Sequence, residues 1–140
     1  MKKLTRLLSV LIIAVLFFGC DKESLEVVDG TYVGVFTVTY DSGAKTDSTT
    51  LVLKDGNYTC SGNLQRIPAG GSGTYVIEKG RIIFSDKNIW TAEFDWNLIL
   101  NGQYDYTFDG KKLKISARLN NVGRYEYKLE KIKELHYQLL

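Results

Sequence analysis

A two-residue turn at Asp55-Gly56, with apolar residues alternating on either side of it, restricts the architecture of this chain more than any other feature. Asp-Gly suits the positive backbone angles of a tight hairpin, so the flanking runs are predicted to be antiparallel strands. Such a turn pairs Leu53 with Tyr58 and Leu51 with Cys60, apolar against apolar on one face. A turn at Lys79-Gly80 pairs Ile77 with Ile82 and Tyr75 with Phe84. A third, at Asp109-Gly110, pairs Tyr106 with Leu113 and Tyr104 with Ile115. A three-residue turn at Asn121-Val122-Gly123 pairs Leu119 with Tyr125, Ala117 with Tyr127 and Ile115 with Leu129. All four turns select the same inside face.

From Gly30 onward the dominant period is two. A first strand is predicted over 30–40, with Tyr32, Gly34, Phe36, Val38 and Tyr40 on one face and Thr31, Val33, Val35, Thr37 and Thr39 on the other. A polar loop over 41–47, strands over 48–54 and 57–61, a flexible Gly-rich loop over 62–73 and strands over 74–78 and 81–85 follow. Between Asp86 and Asp109 the alternate positions Trp90, Ala92, Phe94, Trp96, Leu98 and Leu100 are apolar, as are Tyr104, Tyr106 and Phe108 beyond Gly102. A turn at Asn101-Gly102 would split that set between faces, so one long strand bent at Gly102 is expected. Residues 87–95 are open to three readings: a loop, a short lid helix with Trp90 and Phe94 on one side, or an early extension of that strand. The tail 133–140, with Leu135, Tyr137, Leu139 and Leu140, either closes the barrel or covers one end. A meander of this size with one apolar face most simply closes on itself. The fold class expected is all-β: an up-and-down antiparallel β-barrel of about eight strands.

Ahead of the strands, Lys2, Lys3 and Arg6 precede an apolar run over 7–18 broken only by Ser9, the layout of an export signal. Twelve helical residues reach about 18 Å, against the ~30 Å core of a bilayer. The run closes with Phe17-Phe18-Gly19-Cys20, which resembles the bacterial lipobox, where a small residue precedes a Cys that is acylated and becomes the new N-terminus. Phe17 and Phe18 depart from the aliphatic and small residues usual at those places. The resemblance implies a lipoprotein signal peptide over 1–19, a lipid anchor at Cys20, a polar linker over 20–29 and a barrel domain over 30–140. The membrane is then a partner, held through acyl chains worth ~0.8 kcal/mol per buried methylene. The charged stretch Asp21-Lys22-Glu23 resembles the export tag of surface lipoproteins of Bacteroidota; elsewhere an Asp directly after the acylated Cys resembles a signal for inner-membrane retention. The expected address is the cell envelope, at the outer membrane, with the periplasmic or surface face left open.

Loss of residues 1–19 removes three positive charges from a formal +2, leaving −1 on the remaining 121 residues. No basic footprint for nucleic acid remains. With Cys20 acylated, Cys60 has no thiol partner, so no disulfide supports the domain and its core must hold it together. Cys60 itself reads as a small buried core residue rather than a reactive thiol.

The strand opening Gly30-Thr31-Tyr32, followed by an all-antiparallel meander, resembles the calycin group of lipocalins and avidins, whose first strand begins Gly-x-Trp, and is similar to small lipocalin-like lipoproteins of Bacteroidota. Tyr32 stands where the family has Trp. The resemblance implies a central cavity for a small apolar or amphipathic ligand, with Phe36, Tyr58, Tyr75, Trp96, Tyr104, Tyr106 and Tyr127 as candidate wall residues. Tyr32, Tyr40, Phe84, Phe108 and Tyr125 share the inferred inner face. A buried phenol oxygen needs a hydrogen-bond partner, so the hydroxyls either converge on a ligand's polar end or belong to rings that simply fill a small barrel.

Catalytic patterns are missing from the sequence. His136 stands in the tail with no Ser or Cys near it in sequence, and no metal-ligand spacing or cofactor motif occurs. Glu93 and Asp95 fall opposite the apolar set, on the expected outside. Gly70-Gly71-Ser72-Gly73 lacks the Lys and the helix of a phosphate loop. Two readings of different class follow, neither an enzyme. One is a lipid-anchored ligand binder whose access is controlled by residues 90–96. The other is a filled barrel that contacts an envelope protein through its loops or its Val33, Val35, Val52 and Val76 face.

Overall fold

The period-two runs pair in sequence order and the last returns to the first, which closes the sheet into an eight-stranded antiparallel barrel. The computed structural model describes residues 24–91, 93–119 and 122–133. Its strands are β1 (Gly30–Tyr40), β2 (Gly43–Lys54), β3 (Asn57–Cys60), β4 (Gly71–Glu78), β5 (Arg81–Asp86), β6 (Gly102–Phe108), β7 (Lys112–Leu119) and β8 (Gly123–Lys131). The expected all-β, up-and-down barrel is therefore the observed one, consistent with a lipocalin-like fold. Among the described residues no helix is long and apolar enough to cross a membrane.

Alternation does what it must in a closed sheet: one side chain in two enters the core. Tyr32, Phe36 and Val38 of β1, Leu51 and Leu53 of β2, and Tyr58 and Cys60 of β3 are buried. Ile82, Phe84, Tyr104, Phe108, Leu113, Ile115, Tyr125, Tyr127 and Leu129 complete the set from β5 to β8. Closure runs along β1 and β8, from Tyr32 opposite Lys131 to Thr39 opposite Arg124. Gly34 makes the approach possible, since a Cβ there would stand 2.0 Å from the Lys128 carbonyl oxygen.

Two hairpins have the expected register: Leu53 faces Tyr58 and Leu51 faces Cys60, while Tyr75 faces Phe84 and Ile77 faces Ile82. The other two keep the expected face but slip by two residues. Tyr106 meets Ile115 and Phe108 meets Leu113, because Asp109 accepts the Lys111 and Lys112 amides and widens the turn. In the last hairpin Leu119 faces Gly123 and Ala117 faces Tyr125. A slip of two preserves every inward position, which is why facial agreement could not detect it.

Further corrections concern strand ends. The expected loop over 41–47 is a tight turn, with β2 beginning at Gly43 opposite Tyr40. Its inward positions Lys45 and Asp47 carry no apolar signal, and Asp47 instead receives the Asn63 side-chain amide at 2.7 Å. The Gly-rich loop ends sooner than expected, with β4 starting at Gly71. The long bent strand is not formed: β6 begins at Gly102, residues 87–91 and 93–95 are loop, and Trp96–Leu98 is a single 3-10 turn. Residues 24–29, in the stretch expected to be a polar linker, are bonded to the barrel, with Val27 buried; residues 20–23 lie outside the described residues.

The closing seam yields a direct test. Gly34→Ala is expected to destabilise the domain by about 1–3 kcal/mol, the range for overpacking. Val33→Ala, one residue away on the exposed wall, should stay within about 0.5 kcal/mol of the parent. Urea titrations followed by tyrosine and tryptophan fluorescence measure both.

Candidate functional site

The expected cavity wall turns inward and meets itself. Phe36, Tyr58, Tyr104 and Tyr127 are buried, and Tyr75 and Tyr106 pack partly buried against the same core. Trp96 is the exception: it lies outside on the 3-10 turn with 60% of its surface exposed, so it is not a wall residue. The alternation that placed it inside belongs to loop residues, where a period of two has no consequence for direction. Tyr106 apart, these rings belong to one continuous series, Tyr40 to Tyr125 to Phe36 to Tyr127 to Tyr104 to Phe84 to Tyr75, with centroid separations of 4.6 to 6.4 Å. Tyr58 joins it edge-on to Phe84. Tilted and edge-to-face pairs of this kind contribute about 0.5–1.5 kcal/mol each beyond their burial.

Most of the hydroxyls on this series end on the protein. Tyr58 donates to the Leu100 carbonyl and Tyr32 to the Val28 carbonyl. Tyr75 donates to Asp29 Oδ1 at 2.9 Å, at the mouth where β1 begins. At the other mouth Tyr40 and Tyr125 both donate to Asp95 Oδ2, at 2.7 and 3.0 Å. Burial, then the neighbouring Asp95 carboxylate, pushes the Tyr125 phenol up to about 12. Tyr104 differs from these: its hydroxyl is fully buried and makes no hydrogen bond of good geometry, with the Asn101 backbone as the polar group near it. Cys60 is buried as expected, its thiol pushed up to about 11 by burial against a smaller opposing pull from the Thr49 hydroxyl.

The mouth holding Asp95 is covered by two loops. Asp86 starts the first, accepting the Ser72 amide, the Asn88 amide and the Trp90 indole N–H. Trp90 then meets Phe94 edge-on, and the Arg66 guanidinium from the second loop lies 4.5 Å from the Phe94 ring centroid. Backbone bonds lace the loops together, Ala69 donating to Leu98 and Leu100 to Gly70, so that Leu98, Ile99 and Leu100 are buried across the opening. Asp95 caps the 3-10 turn by accepting the Asn97 amide at 3.0 Å while its other oxygen holds the two tyrosines. Burial raises the Asp95 carboxyl, but the Tyr40 hydroxyl, the Asn97 amide and the Tyr125 hydroxyl outweigh it, and the net shift is downward. Asp95 therefore points at the barrel mouth, not to the expected outside.

The opposite mouth is crossed by residues 24–29, a strap fixed at one end by Leu25 donating to the Phe108 carbonyl and Phe108 donating to Ser24 Oγ. At the other end Asp29 accepts the Asp55 amide at 2.7 Å as well as the Tyr75 hydroxyl, which lowers its carboxyl despite slight burial. Val27 fills the centre. An open groove of about 770 Å³ runs along this mouth between Asp29, Leu53, Lys54, Gly110, Lys131 and Lys133. A second groove, of about 510 Å³, lies on the outer wall by Val33, Thr107, Leu113 and Lys128. Among the described residues no three His, Cys, Asp or Glu side chains are grouped to hold a metal ion; Cys20 and His136 lie outside the described residues.

Comparison of the chain with protein-family models, with curated proteins and with solved structures gave no match.

Asp29 and Asp95 are the residues that reading by alternation missed. Asp95 had a usable signal, since an Asp two residues before an Asn amide suits an N-cap. Asp29 had none, standing in a segment that looked like linker. The Asp95 arrangement predicts a specific pH dependence. A carboxyl lowered on folding contributes stability that is complete above its unfolded value near 3.8 and is lost as pH falls through the lower folded value. Asp95→Asn should destabilise the domain at pH 7 by about 1–3 kcal/mol, the range for hydrogen bonds to a charged group. That difference should shrink on acidification below 3.8. Denaturant midpoints of both proteins across the acid range measure it, and a difference unchanged down to the lowest pH would remove the charge from the explanation.

Proposed function

We propose that this chain is a lipid-anchored lipoprotein of the cell envelope, acylated at Cys20 and held at the outer membrane, whose filled lipocalin-like barrel is a rigid interaction module rather than an enzyme. The observation that carries the reading is the ring series, which occupies the barrel from one mouth to the other. A carrier of the expected kind needs room where Phe36, Tyr104 and Tyr127 interlock. The function then moves to the surface. The loop-covered mouth exposes Leu64 (97%), Ile89 (92%) and Trp96 (60%) beside the Arg66 and Phe94 pair, and aromatic and Arg side chains are those that dominate protein contacts. Val33, Val35, Val52 and Val76 are exposed on the wall, as a contact face would require, but they carry no aromatic or Arg anchor.

One observation favours the alternative, a small ligand within the barrel. The orphaned Tyr104 hydroxyl is a polar atom that a guest's polar group would satisfy.

Two experiments test the proposal. A photo-crosslinking amino acid at Trp96 is expected to capture an envelope protein in cells, and one at Val35 is not. Capture at neither position would sink the interaction reading. Thiol counting tests the anchor. The protein isolated from membranes should show no reactive thiol when native and one, Cys60, when unfolded; a fast-reacting thiol in the native protein would mean that Cys20 is not acylated.

A further inference from the structure

The strap that closes the barrel also sets which end of it faces the tether. Ser24 and Leu25 are bound to the end of β6, so the chain enters the barrel beside the 109–111 turn. Four residues earlier stands Cys20, which an extended chain can hold no more than about 14 Å away. An acylated Cys20 therefore keeps this mouth within reach of the headgroups.

The surface of that mouth has the chemistry of an interfacial face. Leu25, Val28 and Ile132 are exposed there, at 55%, 47% and 42% of their surface. Leu25 stands against Gly110, and Ile132 is fixed by donating its amide to the Thr31 carbonyl. The groove between them carries Lys54, Lys111, Lys131 and Lys133. Of the carboxylates nearby, Asp29 is engaged by the Asp55 amide and the Tyr75 hydroxyl, and Glu130 pairs with Lys111 at 2.5 Å. Asp55 at the groove edge, Glu26 on the strap and Asp109 at the turn are exposed. Apolar side chains flanked by long cationic ones suit a bilayer surface, where methyl groups enter the acyl boundary and ammonium groups remain at the phosphates.

We propose that the strap mouth is seated on the bilayer, with Leu25, Val28 and Ile132 in the interfacial layer and the Lys54 and Lys133 ammonium groups on headgroup phosphates. The inference rests on the lipid-anchor reading. It fixes the orientation of the molecule: the exposed Leu64, Ile89 and Trp96 then point away from the membrane, toward a partner.

The test uses the acylated full chain in vesicles of phosphatidylethanolamine and phosphatidylglycerol containing a doxyl-lipid quencher. Single cysteines are introduced as Val28→Cys, Ile132→Cys and, at the opposite mouth, Ser42→Cys, and each is labelled with an environment-sensitive fluorophore. Cys60 is buried and does not compete. Labels at 28 and 132 are expected to be quenched and blue-shifted, as for groups about 5–10 Å into the interface; the label at 42 is expected to be neither. In the Lys54→Glu, Lys133→Glu double variant, quenching at 28 should fall while co-sedimentation with the vesicles is unchanged. Vesicle-bound protein with equal quenching at all three positions overturns the seating and leaves the anchor intact. Protein that fails to co-sediment and lacks the mass of acyl chains overturns the anchor, and the seating with it.

Discussion

A phenol hydroxyl taken out of water must find an acceptor or cost the domain a few kcal/mol, and the rest of this structure depends on how that demand is met. The barrel wall supplies almost no acceptors, because its backbone carbonyls are occupied by strand pairing. The acceptors come from outside the sheet. Asp95, in a loop, takes two hydroxyls at one mouth; Asp29, in the strap, takes one at the other; the Val28 and Leu100 carbonyls take two more. Segments that lie outside the strands are thereby bound across both openings.

This arrangement relates packing to function. A small barrel whose inner face is mostly aromatic has either space for a guest or rings that touch, and here the rings touch from Tyr40 to Tyr75. If these rings leave no room for a guest, selectivity has to come from the surface. The two mouths differ in composition: one is lined by lysines and aliphatic side chains beside the 24–29 strap, the other by Trp96, Ile89 and Leu64 on laced loops. A rigid body with unlike ends suits a domain that holds its position relative to a membrane while meeting something else. Tyr104 is the point at which the interior is least satisfied: its neighbours along the series are the Phe84 and Tyr127 rings, and its buried hydroxyl makes no hydrogen bond of good geometry.

The fold was legible because its strands obey a period that burial enforces. Alternation from Gly30 to Tyr40 and the Asp55-Gly56 and Lys79-Gly80 turns were sufficient to identify a barrel and most of its inner face. Register across Asp109-Gly110 was not, because a slip of two conserves the face and only the Asp109 side chain, bonding back to the Lys111 and Lys112 amides, decides the turn length. The segment around Trp96 misled for a different reason. Loop residues have no lateral partner, so their alternation carries no directional information, and Trp96 went outside while Asp95 went to the mouth. The start of β2 was hidden because Lys45 there is exposed and Asp47 takes the Asn63 amide rather than facing core. Of the expected inner face, Phe36, Tyr58, Tyr104 and Tyr127 are buried; the closure of the mouths was not legible, because Asp29 and Asp95 act through contacts 46 and 55 residues distant in sequence.

The central claim is that the barrel is filled by its own side chains. Incubation of the purified acylated protein with a total lipid extract of the envelope, followed by native mass spectrometry, tests it most directly. The account predicts the mass of the acylated chain and nothing more, whether or not extract was added. A retained mass of a lipid or other small molecule, lost only on unfolding, would show that the rings part to admit a guest and would contradict it.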